Sequence, residues 1–153
     1  MIERKSASTL TEEKTSKEND EKNKKEIFGM INVFSESISK LIDKINELGL
    51  KLNEKYGSEP YGWDPFPNER LEIDECMKGT RKKYDEIFDR IKNSGMCNSY
   101  KRDCYDEVLK VILKLIKILT PKISGLIDNK FMFTKNKLEN EIIMCKYGPT
   151  DLL

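Results

Sequence analysis

The chain has 153 residues, 28 Lys+Arg against 27 Asp+Glu for a net charge of +1, four cysteines and no histidine. The missing imidazole excludes histidine general bases and histidine metal ligands, and the near-zero charge excludes the clustered basic excess of a duplex-binding protein. At 37% hydrophobic and 36% charged residues, the composition suits one soluble domain with a polar appendage.

Residues 1–26 form that appendage. Seven basic side chains (Arg4, Lys5, Lys14, Lys17, Lys22, Lys24, Lys25) balance seven acidic ones (Glu3, Glu12, Glu13, Glu18, Asp20, Glu21, Glu26) with few apolar groups among them. Such a segment buries too little surface to offset its ordering entropy, so it is expected to be a disordered tail or a frayed helix extension. The domain proper is then 27–153. From Ile27 onward, Ile27, Ile31, Phe34, Ile38, Leu41, Ile45, Leu48 and Leu52 alternate steps of four and three, which predicts one long helix over 27–56. Phe28, Val33, Ile42 and Leu50 widen the stripe beyond a two-helix seam. That favours packing inside a bundle, with a homodimeric coiled coil as the alternative.

The segment 57–68 cannot be helical, because it holds three prolines and two glycines. Its aromatics Tyr61, Trp63 and Phe66 either plug the end of the bundle or form a recognition surface. Asn68 or Asp64 can cap a second helix with Leu71, Ile73, Cys76, Met77, Tyr84, Ile87, Phe88 and Ile91 on its apolar face, and Gly79 is a potential break. Asn93-Ser94-Gly95 reads as a stop, with a third helix restarting at Asn98 or Ser99. Its polar surface narrows to Asp103, Asp106, Glu107, Lys110, Lys114 and Lys117, as expected of the central element of a bundle. Thr120-Pro121 opens a short fourth helix through Ile123, Leu126 and Ile127, and a fifth covers 136–146 before Tyr147-Gly148-Pro149. The fold expected is therefore all-α, a bundle of about five helices.

Cys76, Cys97, Cys104 and Cys145 match no zinc, redox or haem spacing, and their even number points to two disulfides. A hairpin stack of the helices pairs Cys76 with Cys145 and Cys97 with Cys104. Disulfides imply secretion, although no apolar leader follows Met1. Secretion then requires Met1 to be a start added to a mature chain, and a cytoplasmic protein with four thiols is the alternative. The longest apolar stretch, Val108 to Leu119, is too short for a membrane span and contains Lys110, Lys114 and Lys117.

The segment 57–78 carries Glu59, Asp64, Glu69, Glu72, Asp74 and Glu75 against Arg70 and Lys78, a balance of 2 − 6 = −4. A solvated helix face with acids in its first turn explains it, with a calcium or cationic-partner site as the alternative. No phosphate-binding, nucleophile-elbow or zinc-protease motif occurs, so no catalytic residue, cofactor or metal is expected. Lys110, Lys114 and Lys117 are either an ordinary solvent face or a stripe that meets polyanions.

The polar Lys/Glu-rich N-terminal part, followed by a helical domain containing Cys76, Cys97, Cys104 and Cys145, resembles secreted salivary proteins of blood-feeding insects, in particular the helical domain of the mosquito aegyptin family. The tail lacks that family's glycine and acidic excess, so collagen binding does not carry over. The resemblance implies a secreted, non-enzymatic effector that binds a host protein of haemostasis or immunity; the near-zero charge argues against a nucleic-acid partner, and a monomer is expected rather than a homodimer. Tyr61, Trp63, Phe66 and the three lysines are the candidate partner-binding residues. Two other readings are an intracellular module that dimerises through the 27–52 seam, and a carrier of a small apolar ligand beside Phe131 and Phe133.

Overall fold

The computed structural model describes residues 2–57, 66–119 and 130–151, and their side chains over 17–57, 66–119 and 134–145. Among the described residues the chain forms four helices and no strand: α1 (Ile2–Tyr56), α2 (Pro67–Lys92), α3 (Asn98–Ile118) and α4 (Lys130–Asp151). The all-α bundle expected from the periodicity is thus present, with four helices among the described residues. The short helix expected over 121–127 lies outside the described residues, as do Tyr61, Trp63 and Asp64. α4 is longer than expected, beginning at Lys130 and continuing through Gly148-Pro149 to Asp151. A proline so near a helix end removes a hydrogen bond where few remain to be lost.

The alternating seam of α1 is the spine of the core. All eight positions from Ile27 to Leu52 are buried, and they pack with Ile73, Met77, Ile87, Phe88 and Ile91 of α2 and with Val108, Ile112 and Leu115 of α3. The chain's own helices therefore cover the seam that a coiled-coil dimer would need. α3 packs against all three other helices, as its nearly complete apolar surface requires. Three tilted ring pairs, Phe34 with Tyr84 at 6.3 Å, Tyr84 with Phe88 at 5.9 Å and Phe88 with Tyr105 at 5.5 Å, tie α1, α2 and α3 together. Lys137 of α4 lies 4.2 Å from the Phe88 ring centroid.

Local signals set the helix ends. Tyr56 is followed by Gly57 at φ +58, whose N–H returns to the Asn53 carbonyl. Pro67 takes the first turn of α2, where its missing N–H is no loss, so Phe66 is the cap residue and Asn68 lies inside the helix. Gly79 does not break α2. The apolar face on either side of it, Met77 to Tyr84, is buried, and that burial outweighs a glycine cost of about 1 kcal/mol. Gly95 at φ +72 makes the predicted stop, with the Ser94 hydroxyl donating to the Ile91 carbonyl at 2.8 Å.

The polar N-terminal segment is helical rather than disordered, and from Asp20 onward it is docked. The buried Asp20 carboxylate accepts the Cys97 N–H at 3.2 Å, Lys24 pairs with Asp103 at 2.9 Å, and Arg90 donates to both Asn23 (3.1 Å) and Glu26 (2.8 Å). The hydrogen bond to Asp103 raises the Lys24 pKa, and its ammonium also lies 5.1 Å from the Tyr100 ring centroid. α3 has no acid in its first turn. Asp20, reaching across from α1, supplies the negative charge that this helix start favours.

Neither expected disulfide forms, since all four cysteines are free. Cys97 caps α3 and is exposed, whereas Cys104 is buried inside that helix. Seven residues of helix separate them by about 10 Å, beyond disulfide reach. For the other pair, α4 runs back along α3, so Cys145 shares a depression with Asn98, Lys101 and Tyr105 at the α3 start. Cys76 is near the opposite end of α2, about 24 Å from Lys92 along the helix. Alkylation of native protein without reductant should therefore label four thiols, Cys97 first and Cys104 last, as read by mass spectrometry. Recovery of a Cys76–Cys145 or Cys97–Cys104 peptide would contradict the structure.

Burial pushes the Cys104 thiol up to about 11 and raises the Tyr84 and Tyr105 hydroxyls in the same direction. Each is an acid whose neutral form the fold prefers. Their contribution to stability is complete below the unfolded-state pKa values, which for a thiol is about 8.5. It is lost as pH rises through the folded values. The urea midpoint should fall between pH 8.5 and 11, and Cys104→Ala should flatten the lower part of that fall; a midpoint that rises over this range would contradict the burial of these groups.

A candidate binding groove between α1 and α3

α1 and α3 run side by side in the same direction, and midway along them their surfaces part. Ile31, Asn32 and Ser35 of α1 face Glu107, Lys110, Val111, Leu113, Lys114 and Lys117 of α3 across a groove of about 470 Å³. The helical repeat explains this lining. On α3, positions 110, 114 and 117 fall on one line of about 10 Å, while 111 turns toward α1 and forms floor. Ile31 and Val111 are almost fully buried there, and Leu113 remains 36% exposed. On the α1 side, Asn32 and Ser35 are short and uncharged, which leaves the groove open.

The charges along the groove are unequal in availability. Lys110 donates to Glu107 at 3.0 Å, and that bond raises its pKa. Lys114 and Lys117 are exposed and form no ion pair among the described residues. Of the other candidate residues only Phe66 is described. Phe66 is half-buried against the end of α1, with the Lys51 and Lys55 ammoniums 6.0 and 5.6 Å from its ring centroid, so it packs as a plug. Tyr61 and Trp63 lie outside the described residues, and so do the side chains of Phe131 and Phe133.

The acidic stretch at the α2 start is largely engaged by the chain itself. Glu69 accepts from Lys51 at 2.9 Å, which lowers its pKa, Glu72 lies 3.5 Å from Lys44, and Asp74 accepts from Arg70 at 3.1 Å. Among the described residues no group of three or more Cys, Asp or Glu side chains is placed to hold a metal ion. No helix there is long and apolar enough to cross a membrane.

Two features were not read from the sequence. Asn32 and Ser35 carry no pattern of their own, and only the packing of α1 on α3 makes them a wall. The docking of the polar segment did leave a trace: stepping back from Ile27 by three and then four residues lands on Lys24 and Asp20, which hold polar groups in the seam. Compared with protein-family models, with characterised proteins and with solved structures, the chain matches none.

Proposed function

We propose that this chain is a non-enzymatic binding protein that recognises a protein partner through the α1/α3 groove. One observation carries the reading: Lys114 and Lys117, without ion-pair partners among the described residues, stand between the apolar floor of Ile31 and Val111 and the part-exposed Leu113 on the rim. Unpaired cations around accessible apolar surface favour an acidic partner with an apolar strip. That the partner is a host protein of haemostasis or immunity is implied by the resemblance to blood-feeder salivary proteins. The free thiols take away the disulfide argument for secretion and favour a second reading, an intracellular interaction module. Such a module would use the same groove, because its alternative dimer seam is buried.

The test is capture from blood plasma and vessel-matrix proteins on immobilised protein, with K114E/K117E compared against K78E/K82E on the exposed face of α2. A specific partner kept by wild type and by the α2 variant and lost by the groove variant supports the host-protein reading. Equal retention by both variants removes the groove from the function, and absence of any specific partner removes the plasma reading.

A further inference from the structure

Resting on that reading, we infer that the occupant of the groove is a single acidic amphipathic helix of the partner, laid along α3 with its carboxylates on Lys114 and Lys117. Charge complementarity and pitch carry the inference. The two free ammoniums are three residues apart on one helix face, about 4.5 Å along the axis, which is the spacing of acids at i and i+3 or i+4 on a guest helix. The floor beside them is apolar, so the acids must be flanked by an apolar strip at helical period. A carbohydrate polyanion or a purely acidic chain has no such strip.

The residue types point the same way. The groove's cations are all lysines, with no arginine to fork a phosphate bidentately. The whole chain has a net charge of only +1, which provides little of the long-range field that nucleic acids reward. At the other end of the groove, Glu107 holds Lys110. That end favours a neutral or basic residue of the guest, which gives the site a polarity. The uncharged α1 wall, Asn32 and Ser35, demands no counter-charge on the guest's other flank.

The experiment is a fluorescence anisotropy titration of the full chain against labelled, capped peptides of about 18 residues, long enough for helix formation. One carries a leucine strip flanked by glutamates at helical spacing, one is its scramble without the strip, and one is polyglutamate; a heparin oligosaccharide is the fourth probe. The amphipathic peptide should bind about tenfold more tightly than the other three, and K114E/K117E should weaken it about tenfold, the scale of two ion pairs turned repulsive. Leu113→Asp should weaken it comparably, and K78E/K82E should leave it unchanged. Equal binding of the scramble or of polyglutamate, tighter binding of heparin, or no amphipathic binding below about 1 mM overturns the helical occupant. So does a wild-type dimer in sedimentation that K114E/K117E abolishes, which would make the occupant a second copy. Plasma capture that depends on Lys114 and Lys117 while the peptide fails to bind sinks the helix alone; lysine independence in both experiments sinks the groove reading itself.

Discussion

Ile38→Lys is expected to unfold the chain, whereas Leu50→Lys on the same helix should change stability by less than about 0.5 kcal/mol. Both wild-type residues are branched aliphatics on α1, but Ile38 is 1% exposed and Leu50 is 65% exposed. Placing an ammonium at Ile38 removes a side chain whose burial contributes about 2 kcal/mol and adds an unpaired charge to the core. The combined loss, about 5 kcal/mol or more, rivals the whole stability of a typical domain. Circular dichroism with urea titration reads both variants. A cooperatively folded Ile38→Lys monomer derived from a dimeric wild type would reverse the account and restore the coiled-coil seam.

Removing residues 1–26 should cost about 2–4 kcal/mol, a large effect for a segment with almost no apolar side chains. Asp20 contributes a charge-assisted bond to the Cys97 N–H, on the order of 1.5–3 kcal/mol. The part-exposed pairs Lys24–Asp103 and Arg90–Glu26 add about 0–1 kcal/mol each. Truncation also leaves the fully buried Ile27 at a free helix end, where fraying begins. Asp20→Ala in the full chain isolates the first contribution, and its urea midpoint should fall by about half as much as that of the truncation. An unchanged midpoint after truncation would return the segment to a solvated appendage.

What the sequence made legible follows the strength of each local signal. The seam from Ile27 to Leu52 is long and strictly periodic, and every one of its positions is buried. Gly95 marks the end of α2 through a backbone preference that holds in any context, whereas Pro67 and Asn68, counted with the connector, open α2 instead. Of the two readings of the polar segment before Ile27, a disordered tail or a helix extension, composition could not choose, because it counts apolar area, while Asp20, Lys24 and Glu26 are held by partners in α2, α3 and the turn between them. The cysteine pairing failed for two reasons: Cys97 and Cys104 stand at the cap and inside one helix, too far apart along its axis, and α4 brings Cys145 to the start of α3, away from Cys76. The lysine stripe was visible at positions 110, 114 and 117, but whether it borders solvent or a groove depends on α1, whose Asn32 and Ser35 are ordinary polar residues until the two helices meet.

The claim that the α1/α3 groove is the recognition surface is tested most directly by methyl NMR of the full chain during titration with the leucine-strip acidic peptide. The methyl signals of Ile31, Val111 and Leu113 should shift together and saturably, and K114E/K117E should move the titration to about tenfold higher peptide concentration. Shifts centred on Leu71 or the exposed face of α2, or none at the three groove residues at saturation, would contradict it.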